Sequence, residues 1–227
     1  MIGGAQAAWR EVRWVVLALV GSTVVGALLR WRGVAIVAGG LLAWVCYFFR
    51  DPDRTPDAEG AEFILPRRMG GCRASLWSMR PHLFDVPATR ISLFLSLFDV
   101  HVQRMPDTGV VRVVDYRPGS FAPAFLADSE ANEANFIGVE SERGPLLVAQ
   151  MTGILARRIV CWAKPGDGLA KGQRFGLIKF GSRVDLYLPA DCDVMVTPGQ
   201  HVYGGQSVVA RWSGNGLAKT EESVNRP

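Results

Sequence analysis

The chain has 227 residues, 49% hydrophobic and 20% charged, which excludes a disordered chain and allows one domain with or without an anchor. Lys+Arg is 25 and Asp+Glu is 21, a formal net charge of +4; an excess this small suits an anionic membrane surface, and no nucleic-acid partner is expected. Cys46, Cys72, Cys161 and Cys192 form no C-x-x-C pair, and His82, His101 and His201 form no H-x-x-x-H, so no disulfide scaffold and no metal site are expected.

Trp14 to Leu29 is apolar apart from Ser22 and Thr23, Arg30-Trp31-Arg32 interrupts, and Gly33 to Phe49 is apolar again. A second run this close excludes a cleaved signal peptide for the first. The pattern predicts a hydrophobic helical hairpin over residues 1–49 that anchors the chain in a membrane. The runs stand at the short edge of a spanning helix. Two topologies stay open: a spanning hairpin, or two helices dipping into one leaflet. Arginines on both flanks and at the turn leave orientation undecided. Trp14, Trp31, Trp44 and Tyr47 suit the membrane interface.

Residues 50–62 read as a Pro/Asp/Arg linker. A mainly β (α+β) domain is predicted over 63–216, ahead of a tail at 217–227. Its strand-like runs are Arg90 to Phe98, Gly109 to Tyr116, Leu146 to Met151, Arg158 to Trp162, Val184 to Leu188, Val194 to Val196 and Ser207 to Ala210. Asp128 to Asn135 reads as a loop or short helix. Valines and glycines from Leu188 to Val209 give a lipoyl/biotinyl-like C-terminal pattern. The carrier lysine of such domains is missing, and two hairpins with glycine at the turns account for the spacing.

Two stretches carry the chemistry, and a third marks the end of the apolar segment. Gly172 to Pro189 holds Lys179, read as an exposed cation, then Phe180, Gly181 and Ser182 ahead of the alternating Arg183-Val184-Asp185. Ser96 to Pro106 holds Asp99-Val100-His101-Val102-Gln103-Arg104. Phe48-Phe49-Arg50-Asp51-Pro52 closes the second apolar run. Together they resemble the short bacterial form of phosphatidylserine decarboxylase, from about residue 10 to about residue 212. The resemblance implies that Ser182 attacks the Gly181 carbonyl and that the chain then splits into a large chain 1–181 and a small chain 182–227. The resemblance further implies that Ser182 becomes a covalent pyruvoyl cofactor, which decarboxylates phosphatidylserine through a Schiff base, and that the two chains stay together as a heterodimer on the bacterial inner membrane, with the catalytic domain in the cytoplasm. Glycine at 181 leaves an attacking hydroxyl unobstructed. The attack needs a base, and neutral His101 is the candidate. Asp99, two residues away, either orients His101 or caps the turn. His82 and His201 fall outside the motifs and read as structural. Removing residues 1–49 is expected to leave a domain that still processes itself. The alternative is a membrane-tethered, non-catalytic β-domain that binds lipid or protein.

One stretch departs from the family. Where the family carries Ser-Pro-Ala-Asp-Gly, with an Asp that completes the self-cleavage set, this chain reads Leu65-Pro66-Arg67-Arg68-Met69. Ile64 to Arg80 holds four arginines and no carboxylate. Degenerate codons allow a pair of compensating frameshifts bounding roughly residues 64–82. Resequencing tests that hypothesis: clean reads in the printed frame would sink it.

Overall fold

The computed structural model describes residues 6–52, 62–64, 73–79, 88–123, 127–154, 158–179, 182–190 and 192–213. Three helices come first: α1 (Gln6–Arg10), α2 (Arg13–Leu28) and α3 (Arg32–Phe48). The turn between α2 and α3 falls at the Arg30-Trp31-Arg32 interruption, with Arg30 in the left-handed region at φ 60°. At 1.5 Å per residue, α2 and α3 are about 24 and 26 Å long, short of a hydrocarbon core about 30 Å thick. No helix among the described residues is long and apolar enough to cross a membrane. This corrects the spanning alternative. Trp14, Trp31 and Tyr47 are exposed. Trp44 instead turns toward the β-domain, where its ring lies 5.7 Å from that of Phe48.

The strands are β1 (Glu62–Ile64), β2 (Arg73–Met79), β3 (Ala88–Leu95), β4 (Val102–Arg104), β5 (Gly109–Arg117), β6 (Ala134–Ser141), β7 (Gly144–Met151), β8 (Arg158–Cys161), β9 (Gly168–Leu169), β10 (Arg174–Lys179), β11 (Ser182–Pro189), β12 (Asp193–Val194) and β13 (Val208–Arg211). They form an antiparallel seven-stranded sheet in the order β2-β3-β11-β7-β6-β5-β9 and two three-stranded sheets, β4-β10-β8 and β1-β13-β12. The polar stretch 128–135 gives a short 3-10 turn over 127–131 and then enters β6. Gly199 and Gly205, both at positive φ, take turns in the C-terminal stretch, as the glycine spacing anticipates.

Period-two alternation explains the core. On the inner face of the large sheet, Ile91, Leu93 and Leu95 of β3 meet Val184, Leu186 and Leu188 of β11 and Leu146 and Val148 of β7. Met105, Phe175 and Ile178 join this core from the β4-β10 side. The outer-facing residues of β11 are also buried, although two of them are charged. Arg183 Nε lies 3.0 Å from Asp185 Oδ1, and Arg90 Nη1 lies 3.9 Å from Asp185 Oδ2. These are close ion contacts rather than aligned hydrogen bonds. Burial pushes the Asp185 carboxyl up, against the pull of Arg183 and Arg90. Glu130 binds both guanidinium groups, and Ser129 accepts a bond from Arg183. β11 is therefore fastened on both faces to segments far away in sequence.

The hairpin does not hang free. Val12, Val45, Phe48 and Phe49 pack on Val100, Val102 and Leu177, covering the outer face of the β4-β10-β8 sheet. Directly after α3, the Asp51 carboxylate is 2% exposed and lies 3.0 Å from Arg104 Nη2 and 2.5 Å from Arg174 Nε. Asp51→Ala would remove a buried carboxylate shared by two largely buried guanidinium groups, and the expected loss of stability is about 3 kcal/mol. A fall in the urea midpoint of the full-length chain checks this; an unchanged midpoint would show the clamp to be idle.

Candidate active site

Two chain segments converge at one end of the large sheet. β3 ends at Leu95, a turn follows, and His101 stands just before β4. β10 ends at Lys179, and β11 begins at Ser182, whose cross-strand partner is Leu95. The Ile178 N–H donates to the His101 carbonyl at 3.2 Å, which ties the two segments together. Gly181 and Phe180 lie outside the described residues, as does His82.

Ser182 takes the first position of β11, in the same alternation as Val184, Leu186 and Leu188. Its hydroxyl is therefore buried where the strand otherwise places apolar groups. Among the described residues it has no hydrogen-bond partner. A buried, unsatisfied hydroxyl is costly, and such groups in native structures call for an explanation.

His101 is buried as well. Its Nδ1 lies 2.8 Å from the Asp99 carbonyl oxygen. A carbonyl can only accept, so Nδ1 carries the proton and Nε2 keeps its lone pair. Nε2 is buried and has no partner among the described residues. Burial lowers the pKa of the ring to about 4; the Asp99 carbonyl opposes the shift, and the Arg50 cation adds to it. At neutral pH the ring is an uncharged base with a free lone pair. Of the two roles open for Asp99, its carboxylate does the capping: Oδ2 accepts the Ser96 N–H at 2.8 Å. The histidine is oriented by the main-chain carbonyl of the same residue.

Three features escape a reading of the sequence. A row of amides runs through the core, its Gln150 standing opposite Val184, two residues along β11 from Ser182. Asn135 Nδ2 donates to Gln150 Oε1 and Gln150 Nε2 to Gln103 Oε1, each at 3.0 Å. That leaves the fully buried Gln103 Nε2 without an acceptor among the described residues. Gly176 makes the row possible, since a Cβ there would come within 2.6 Å of Gln150 Nε2. Next, Lys179 is not exposed: its Nζ bonds the Glu11 carboxylate at 3.1 Å and the Glu11 carbonyl at 3.2 Å, and its side chain is 15% exposed. The sequence shows a lone cation because its partner stands 168 positions earlier. Last, the Phe48 ring stacks on the His101 imidazole, with centroids 4.3 Å apart and planes inclined by 28°. His201 is exposed on a loop. No cluster of potential metal ligands occurs among the described residues.

A buried serine hydroxyl and a neutral imidazole whose Nε2 lone pair is free, neither atom having a partner among the described residues, make a nucleophile-and-base site set into a β-domain. Comparison with known proteins narrows this class. A family model described as phosphatidylserine decarboxylase matches residues 77–210. The chain is 45% identical over 210 residues to a phosphatidylserine decarboxylase proenzyme of Carboxydothermus hydrogenoformans, covering 91% of this chain and 97% of that protein. It is 44% identical over 200 residues to a phosphatidylserine decarboxylase proenzyme of Saccharopolyspora erythraea, covering 85% and 84%. The chain belongs to the phosphatidylserine decarboxylase family.

Proposed function

We propose that the protein decarboxylates phosphatidylserine to phosphatidylethanolamine, using a pyruvoyl group that it makes from Ser182. The observation that carries this reading is the Ser182 hydroxyl: buried, unpartnered among the described residues, and standing where the family motif puts the cleavage serine.

Self-cleavage follows from the chemistry of the chain's own groups. Ser182 Oγ attacks the Gly181 carbonyl carbon while His101 Nε2 takes the hydroxyl proton. Collapse breaks the Gly181–Ser182 C–N bond, returns a proton to the freed nitrogen and leaves an ester. Loss of the Ser182 α-proton then breaks the Cβ–O bond. Gly181 leaves as a carboxylate that ends chain 1–181, and Ser182 becomes dehydroalanine at the head of chain 182–227. Its imine tautomer takes up one water and releases one ammonia, which gives the pyruvoyl ketone.

The site fits this group. A ketone oxygen can only accept hydrogen bonds, and Gln103 Nε2 is a buried donor without an acceptor among the described residues. Gln103 would hold that oxygen, and Gln150 and Asn135 fix the direction of its amide. When present, the pyruvoyl group supplies an electron sink for the pair released as carbon dioxide leaves. The exposed apolar flanks of α2 and α3, including Leu17, Leu28, Ile36 and Val37, suit a hairpin embedded in one leaflet. We place that leaflet in the bacterial inner membrane, on its cytoplasmic side, where the lipid substrate stays within reach.

The test is the intact mass of the smaller product from purified protein, together with release of phosphatidylethanolamine from phosphatidylserine liposomes. A chain 182–227 headed by a pyruvoyl group is expected. A chain that stays uncut and inactive on long incubation, even with the family motif restored at 65–69, supports a tethered binding domain instead.

A further inference from the structure

The apolar hairpin touches the site at two points that anchoring does not need. Phe48, the last residue of α3, is 1% exposed, and its ring lies flat against His101. Glu11, between α1 and α2, holds Lys179, which stands three residues before Ser182. The clamp on Asp51 and the packing of Val12, Val45 and Phe49 make the hairpin base and the β4-β10-β8 sheet one body. An anchor needs only a tether, and none of these contacts faces outward to lipid.

We propose that the base of the hairpin is a wall of the self-cleavage site, with Phe48 as the positioning residue that holds the His101 ring in place and keeps water from it. This rests on the reading of His101 as the base. Nδ1 is fixed from one side by the Asp99 carbonyl, and Phe48 covers a face of the ring. Both constraints leave Nε2 as the exit for the lone pair.

Among the described residues, few charges stand near enough to compete. Arg50 follows α3, and its guanidinium bonds the Tyr47 and Phe98 carbonyls. The Asp99 carboxylate is turned to Ser96, and Lys179 on β10 is held by Glu11. Desolvation is therefore the main cause of the ring's low basicity, and Arg50 adds to it. Phe48 is the large apolar group in stacking contact with the ring. Deleting residues 1–49 would remove this wall, so the segment is more than a detachable anchor for a self-sufficient domain.

The experiment is an NMR titration of the imidazoles in the full-length chain in micelles, with Ser182→Ala to keep the chain whole. Only three histidines are present, and His101→Gln identifies the signal of interest. The His101 ring should titrate near pH 4. Phe48→Ala should move that titration up by at least about one unit toward the ordinary 6.5, because water reaches the ring. Phe48→Leu, apolar and close in volume, should restore the low value. Phe48→Gln, longer and polar, serves if the alanine variant does not fold. A His101 ring that still titrates near 4 in a folded Ala or Gln variant overturns the proposal. The underlying reading fails separately: if His101→Gln on the Ser182 chain with the family motif restored at 65–69 self-cleaves as fast as the same chain with His101, His101 is not the base, whatever Phe48 does to its titration.

Discussion

Ser182→Ala is expected to leave one chain of full length and no decarboxylase activity. Alanine has no oxygen to attack the Gly181 carbonyl and no route to a ketone. The variant should fold normally, since it removes a buried hydroxyl with no partner among the described residues, at a strand position otherwise given to apolar side chains. Loss of activity therefore cannot be put down to a damaged core. Ser182→Cys and Ser182→Thr each keep a nucleophile and should cut slowly. A denaturing gel and a liposome assay decide the matter: two chains of the expected sizes from the alanine variant would end the pyruvoyl reading.

The second large effect concerns an acid. In the proposed self-cleavage, His101 would become a cation on taking the Ser182 proton. The Asp99 carbonyl gives it the right tautomer, the Asp99 carboxylate accepts the Ser96 N–H through Oδ2, and Arg50 disfavours positive charge nearby. The family's acid is missing from the printed sequence at 65–69, a stretch outside the described residues. In a serine-protease triad, loss of the carboxylate's function costs about 10⁴-fold in rate. The printed chain should accordingly self-cleave very slowly. Leu65→Ser, Arg67→Ala, Arg68→Asp and Met69→Gly together restore the family motif and should speed cleavage by up to about 10⁴-fold. The time course of the small chain measures this. Prompt cleavage of the printed chain would show that the acid is dispensable.

The hairpin was legible because two apolar runs flanking Arg30-Trp31-Arg32 leave little else to form. β3 and β11 were legible because apolar residues recur at every second position. β6 was not: it follows directly on the polar stretch 128–135, and Gly138 interrupts its apolar run. β10 was absorbed into a motif and read as a lead-in. At the site, Ser182 and His101 stand out by residue type and spacing. Phe48, Gln150 and Glu11 do not, because each acts through a contact made across the chain. Gln150 reads as a polar interruption of a strand, Phe48 as one more apolar residue in an anchor, and Lys179 as a surface cation. Local pattern reports periodicity; it does not report which distant side chain arrives to pair.

β11 begins at the proposed cut and lies between β3 and β7, two strands of the other chain. β13, also beyond the cut, pairs on one side with β1 of the large chain and on the other with β12 of its own chain. The scission thus falls within an interleaved ladder and not between separable lobes. Before it, refolding is a first-order event, independent of protein concentration. Afterwards, a molecule that unfolds has lost its connectivity, and recovery becomes a second-order encounter between two fragments, one of them too short to hold a core alone. Maturation would exchange reversibility for a ketone: each molecule gets a single attempt at assembly while intact, and from then on its lifetime is set by how rarely the ladder opens.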